Sequence, residues 1–176
     1  VKSGISYSFK YNISNKRHCK LNYHCSRNIS GYAQDRILQL RQYLSGCHTF
    51  CCAVPGCWHV MGVTQGAGLS LKWFRDNFCM TEKETAKLMG VDEYYLMDKQ
   101  AETVPVGANR LLYLPYLMGE RTPHLDPDAR GVFFGLSAIH TRKDMLRAVM
   151  EGVTYSLCDC LNIIRGMTGC EPGKIY

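Results

Sequence analysis

The chain has 176 residues, 46% of them apolar, enough to enclose one core without disulfide staples. Its formal charge of +6 is uneven, because residues 1–50 carry a net +7 and residues 51–176 a net −1. No apolar run reaches the ~20 residues of a membrane span, and residues 1–17 contain no apolar core of a secretory signal.

Ten cysteines lie along the chain. Without a signal segment or paired Cys-x-x-Cys knuckles they read as reduced thiols in a cytoplasm, not as a disulfide framework. Residues 1–46 are basic, poor in Leu and Val, and without a clear period. They are expected to be a disordered leader, with one short helix at most over "DRILQLRQYLSG".

The texture changes at Cys47. "WHVMGV" (58–63) has a strand's composition, and "GAGLSLKWFRDNF" (66–78) places Leu69, Leu71, Trp73, Phe74 and Phe78 at helical spacings, Leu71, Trp73 and Phe74 as core. Thr81 and Glu84 have the form of a capping box that opens a short helix ending at Gly90. "RLLYLPY" (110–116) predicts a buried strand ending at Pro115, and "GVFFGL" (131–136) predicts another.

The strongest helix runs through "TRKDMLRAVMEGVTYSLCDCLNIIRG". Thr141 caps it, Asp144 sits in its first turn, and Met145, Val149, Val153, Leu157, Leu161 and Ile164 recur on one face. Gly166 and Gly169 are expected to end it, and "GKIY" reads as a further strand. Strands alternating with helices predict an α/β fold with a mixed sheet flanked by helices.

Several patterns suggest chemistry. Cys47, His48, Cys51, Cys52, Cys57 and His59 fall within thirteen residues, with Cys19 and Cys25 upstream. A small zinc module is one reading of them, although zinc-knuckle spacings are absent. A nucleic-acid module is the companion reading of the basic, Tyr-containing start. Buried thiols and a solvated tail explain both features more simply. "GVTQGAG" is glycine-rich without being a phosphate loop, and on spacing alone Gly68 serves a close helix approach.

Between two apolar runs stands "GERTPHLDPDARG" (119–131), dense in charge. With its flanks it forms "LPYLMGERTPHLDPDARGVFFGLSAIHTRKDMLRAVMEGV", in which Gly135 and Leu136 are followed, seven residues later, by Asp144-Met145 and Ala148-Val149-Met150-Glu151. This pattern closely resembles the second signature of the FGGY family of carbohydrate kinases. The upstream "HTFCCAVPGCWHVMGVTQGAGLSLKWFRDNFC" resembles the same family, and both stretches are most like its xylulokinase members. Cys52 and Cys57 depart from it, standing where relatives more often carry His and a basic or polar residue.

The resemblance covers residues 47–176 and implies part of an actin-like, ribonuclease H-like ATPase domain. It implies that these residues are the first part of the family's second domain, truncated, and that 1–46 are unrelated to it. A kinase of this family would phosphorylate a sugar with ATP and Mg²⁺, D-xylulose to D-xylulose 5-phosphate for the xylulokinase members. The match of "G-x-x-x-(Q/K)-W-x-R-D" implies that Gly68 and Lys72 contact the nucleotide. No catalytic residue or metal ligand is expected within the chain. The base aspartate and the phosphate-binding loop would lie upstream, and the adenine-binding loop downstream. The partners implied are ATP and the sugar, with no membrane or nucleic acid, and association through a truncated sheet edge. The 119–131 loop would wall the cleft, its charges pairing with each other and with the partner domain. Arg121, Asp126 and Arg130 would hold its shape, Pro115, Pro123 and Pro127 keep it extended, and Gly119 and Gly131 supply its turns.

Overall fold

The computed structural model describes residues 7–9, 19–25, 46–51 and 58–168. Its larger sheet is built on β4 (Trp58–Thr64), between β2 (Cys19–Cys25) and β3 (His48–Cys51), with β1 (Tyr7–Phe9) outside β2. Val60, Gly62, Val63 and Thr64 are all buried, so β4 is covered on both faces. The expected mixed sheet is not what forms among the described residues, where every pairing of named strands is antiparallel.

Strands β1 and β2 lie inside the segment expected to lack regular structure. The reason is legible afterwards. Cys19, Leu21, Tyr23 and Cys25 alternate with Lys20, Asn22 and His24, a period of two that suits a strand paired between β1 and β4. The helix expected over 35–46, apart from Gly46, and the strand expected over 173–176 fall outside the described residues.

Four helices follow: α1 (Ala67–Phe78), α2 (Met80–Met89), α3 (Glu93–Glu102) and α4 (Arg142–Thr168). Helix α2 does not start at a Thr81 cap. It begins at Met80 after the buried Cys79, with no side-chain cap, because only that residue separates it from α1 and the Lys83 amide already bonds the Cys79 carbonyl. Thr81 and Glu84 are exposed within the helix. Gly90 ends α2 in the left-handed conformation, φ 67°. Asp92 caps α3 by accepting the Tyr94 amide at 2.7 Å.

The two predicted later strands form a hairpin of their own, β5 (Leu112–Leu114) with β6 (Val132–Phe134). Only one face of β5 is buried. Tyr113 is 3% exposed, while Leu112 and Leu114 are 46% and 41% exposed and share the outer face with Val132 and Phe134.

Helix α4 packs across β4, β5, α1 and α3. Phe74, Met97, Leu111, Leu146 and Val149 are fully enclosed at its centre, and Leu71 and Trp73 pack against them. Burying side chains of this kind stabilises the fold by roughly 1.5–3 kcal/mol each. At the helix start the Thr141 amide and hydroxyl both donate to Asp144, at 2.7 and 2.6 Å, and the Asn109 amide donates to it at 2.7 Å. The Thr141 hydroxyl, with the other donors, holds the Asp144 carboxyl below its ordinary range. The expected cap is present, with the carboxylate as acceptor. Gly166 lies inside the helix instead of ending it.

The buried stripe of α4 keeps Val149 and Ile164 of the face that its large side chains suggest, but not the positions between them. Val153, Leu157 and Leu161 are half-buried, and the enclosed positions are Gly152, Ser156, Cys160 and Ile164. The helix is drawn too close to the sheet for large groups. A Cβ at Gly152 would lie 2.1 Å from the Tyr113 carbonyl oxygen, and the Cys160 Cβ already sits 2.9 Å from the Cβ position of Gly62. Gly66 is confined in the same way, 1.8 Å from the Pro115 carbonyl oxygen on the same measure.

Between α3 and β5 the chain makes a turn in which Ala108, Asn109 and Arg110 all have positive φ, at 43°, 53° and 73°. The Glu151 carboxylate holds this turn through the Gly107 amide, 3.1 Å from each of its oxygens, and is itself held by Arg147 at 2.6 Å. Left-handed backbone costs an L-residue roughly 1–2 kcal/mol, least for Asn.

Two predictions follow from this geometry. Gly152→Ala lowers stability by about 1–3 kcal/mol through overpacking. Gly166→Ala, exposed and with nothing within 4 Å, raises it by about 0.5–1 kcal/mol. Urea midpoints of the two variants therefore move in opposite directions, and a shared direction contradicts the packing described. Arg110→Gly relieves the left-handed strain and gains ~0.5–1 kcal/mol after the entropy of the unfolded glycine is counted. The readout is an increase in the thermal midpoint, which a neutral or lowered value would contradict.

Candidate functional site

Strand β4 ends at Thr64, turns through Gln65 and Gly66, and enters α1. The 119–131 loop grips this turn. Thr122 adds a short extension to the pairing, its amide donating to the Val63 carbonyl at 3.0 Å and its hydroxyl accepting the Val63 amide at 3.2 Å. The same hydroxyl donates to the Gly46 carbonyl at 2.7 Å.

Next to Thr122 is Glu120, only 3% exposed. One carboxylate oxygen accepts the Thr64 hydroxyl at 2.7 Å, and the other accepts the amides of Gln65 at 2.8 Å and Arg121 at 2.7 Å. Ser156 of α4 donates to the Thr64 hydroxyl at 3.0 Å. A buried carboxylate needs such donors to replace its lost water.

The charges of the loop do not pair with one another. Among the described residues no salt bridge joins two of them, and the one buried charge, Glu120, faces the end of β4. Asp126 and Arg130 do hold local shape. Asp126 accepts the Asp128 amide at 2.8 Å and its carbonyl accepts the Glu120 amide at 2.8 Å, while Arg130 donates to the Pro127 and Ala129 carbonyls at 3.1 and 2.8 Å. The Arg121 side chain is exposed and contributes no such contact. Gly119 makes its turn at φ 78°.

The grip fixes the start of α1. Gly66 precedes the helix without any side-chain cap, and the first turn holds no acidic residue. The first amides of an uncapped helix favour an anion, helped by the positive end of the helix dipole. Gly68 stands half-buried in this first turn. Lys72 follows one turn later, its side chain 40% exposed and its ammonium 2.5 Å from Asp76. That bond from Lys72, and next those from Arg75, hold the Asp76 carboxyl at about 2. Arg75 also reaches Glu93 at 3.1 Å and Tyr94 at 2.9 Å, so the cluster fastens α1 to α3.

The structure thus places Gly68 and Lys72 on one helix, with Lys72 already engaged. The residues that position them, Glu120, Thr122 and Gly66, are ones that sequence reasoning missed. The available signal was a Glu next to a Gly and two residues before a Thr, inside an otherwise soluble loop. Gly66, two residues before Gly68, is held against the Pro115 carbonyl oxygen, 1.8 Å from its Cβ position.

The zinc reading gains no support. Among the described residues no three His, Cys, Asp or Glu side chains converge. The described thiols, Cys47, Cys79, Cys158 and Cys160, form no disulfide, and burial pushes the Cys79 thiol up. No helix of the described residues is long and apolar enough to cross a membrane.

The model for the C-terminal domain of the FGGY family of carbohydrate kinases matches residues 40–176. The chain belongs to the FGGY family. The match starts at residue 40, upstream of the Cys47 boundary that the wording suggested. A xylulose kinase of Bacillus subtilis is 42% identical over 134 residues, 76% of this chain and 24% of that protein. A gluconokinase of Bacillus licheniformis is likewise 42% identical over 118 residues, 67% of this chain and 22% of that protein. A xylulose kinase structure from Rhodospirillum rubrum matches the fold with a TM-score of 0.67 at 23% identity, covering 93% of this chain and 28% of that one. The chain therefore spans about a quarter of the length of these relatives, and its α/β architecture is that of the family's actin-like domain.

Loss of the Glu120 carboxylate strands three donors. Glu120→Ala lowers stability by about 2–3 kcal/mol, the scale of buried hydrogen bonds to a charged acceptor. Hydrogen exchange at Gln65 and Gly66 rises with it. If those amides stay as protected as in the parent chain, Glu120 does not hold the turn.

Proposed function

We propose that this chain forms the nucleotide-facing part of an ATP-dependent sugar kinase. Its acceptor is a ketopentose, D-xylulose, which becomes D-xylulose 5-phosphate. The observation that carries the reading is the uncapped start of α1, Gly66-Ala67-Gly68, held at the end of β4 in a chain of the FGGY family. The ketopentose is favoured by the wording of "PYLMGERTPHLDP" and by relatives named xylulose kinase, among which gluconokinases also stand.

In such a transfer the sugar hydroxyl oxygen bonds to the γ-phosphorus as the bond to the ADP oxygen breaks. Catalysis is then mostly positioning and charge stabilisation. The residues of this chain would bind and orient. The amides at the start of α1 face phosphate oxygens, Gly68 leaves room for that approach, and Lys72 donates to the same oxygens. Lys72 can turn to a phosphate at small cost, because Asp76 keeps Arg75 at 2.7 Å and Lys83 at 3.6 Å.

The described residues do not fit a Mg²⁺ site. No set of three metal-ligating side chains converges among them, and the Glu120 carboxylate is committed to Thr64, Gln65 and Arg121. The aspartate that takes the hydroxyl proton is assigned to a part of the kinase outside this chain.

The test is made on a full-length family kinase that carries this stretch. Lys72→Ala raises the KM for ATP about tenfold or more and leaves the KM for sugar unchanged, since one charged hydrogen bond is worth ~1.5–3 kcal/mol. An unchanged ATP KM assigns Lys72 to Asp76 alone. This chain by itself, given ATP, Mg²⁺ and D-xylulose in a coupled assay, shows no turnover. A positioned base alone is typically worth about 10²–10⁴-fold. Turnover that survives rigorous purification would place the catalytic groups within these residues.

A further inference from the structure

Asp76 gathers more positive charge than one carboxylate neutralises. Its Oδ2 accepts Lys72 at 2.5 Å. Its Oδ1 accepts two Arg75 nitrogens at 2.9 and 2.7 Å, with the Lys83 ammonium 3.6 Å away. Of these cations Arg75 also pairs with Glu93, at 3.1 Å. Three cations therefore share two carboxylates, and one positive charge is in excess.

The three cations are not held alike. Arg75 is the fixed one, since its side chain is 12% exposed and its guanidinium also donates to Tyr94 at 2.9 Å. Its planar fork loses little freedom per bond formed. Lys72 and Lys83 are single ammonium groups on flexible stems, 40% and 31% exposed. Lys72 stands four residues before Asp76 on α1, and helix side chains lean toward the N-terminus. To reach Asp76 it turns against that lean, the less favourable order for an i,i+4 pair. Released, it leans back toward the first turn of α1, where the proposed function places the phosphates. Lys83 comes from α2 and makes no other ion pair among the described residues. At 3.6 Å it lies within ion-pair range of Asp76 and short of a hydrogen bond.

We propose that Lys83 is a positioning residue for the nucleotide, which takes over Asp76 as Lys72 leaves and so sets how readily Lys72 reaches a phosphate. Two effects act in the same direction. While Lys72 sits on Asp76, the like charge of Lys83 opposes it. Once Lys72 has turned away, Lys83 closes on the carboxylate and offsets part of the lost ion pair. Lys83 itself touches no phosphate. It acts in this way only if Lys72 meets the nucleotide, as the proposed function requires.

The experiment is steady-state kinetics, in ATP and in sugar, on a full-length family kinase that carries this stretch. Lys83→Ala raises the KM for ATP about threefold, the size of one partly screened ion pair. It leaves kcat and the KM for sugar unchanged. Lys83→Arg, which keeps the cation, keeps the parental KM. In a Lys72→Ala background Lys83→Ala adds nothing, because the two residues act along one path. A merely structural Lys83 would instead shift the parent and the Lys72→Ala variant alike. Lys83 is partly exposed, so both of its variants keep the fold. Three results would overturn the assignment: an ATP KM indifferent to Lys83→Ala, a rise that persists in the Lys72→Ala background, or Lys83→Arg behaving as the alanine variant does. If Lys72→Ala itself leaves the ATP KM unchanged, the nucleotide role of α1 falls and that of Lys83 with it. A responding Lys72 beside an indifferent Lys83 removes the role of Lys83 alone.

Discussion

A single buried carboxylate ties the 119–131 loop to the turn from β4 into α1. Glu120 comes from a loop, yet it satisfies the last hydroxyl of β4 and the first amide beyond it. An ionised group in that position is tolerable only because three donors surround it, and those donors would be equally costly without it. The dependence is mutual, so the loop and the turn into α1 are specified as one unit. Thr122 extends the same logic with neutral groups, pairing both ways with Val63 and reaching Gly46. What the first turn of α1 can meet is therefore decided by a residue more than fifty positions away in sequence.

The second determinant is the charge cluster on α1. Lys72, Arg75, Lys83, Asp76 and Glu93 share three helices, and their mutual pairing leaves Asp76 ionised far into acid. At about one-third exposure each such pair contributes little to stability. Their value is geometric. Arg75 stacks over Tyr94 with its guanidinium carbon 5.0 Å from the ring centroid, so α1 and α3 keep a fixed relation while Lys72 remains movable.

Much of this was legible from residue patterns, and the exceptions share a cause. The strand at 58–64, the helix over Ala67–Phe78, the stop at Gly90 and the Thr141–Asp144 start of the long helix all follow from local chemistry. The failures are tertiary. The Thr81–Glu84 box was overruled because α1 and α2 are nearly continuous. The expected stripe of α4 holds at Val149 and Ile164, and between them contact with the sheet selected the small Gly152, Ser156 and Cys160. The loop charges invited pairing with each other, and the decisive one instead turned inward to a strand. The alternation in Cys19–Cys25 was present but masked by a basic, polar composition. Gly68 and Lys72 came from family wording, which no periodicity could have supplied.

The contact of Gly66 and Gly152 with the carbonyls of Pro115 and Tyr113 has an evolutionary consequence. Every amino acid reachable from a glycine codon by one base change carries a Cβ, and at these two positions that atom meets backbone, which cannot rotate aside. No single-step neighbour in sequence space keeps the present spacing of α1, β5 and α4. Drift at either site must wait for a compensating shift in Tyr113–Pro115, a stretch itself constrained by a buried tyrosine whose hydroxyl donates to Ser70. The three elements should therefore change together across lineages or not at all, however freely the exposed faces around them diverge.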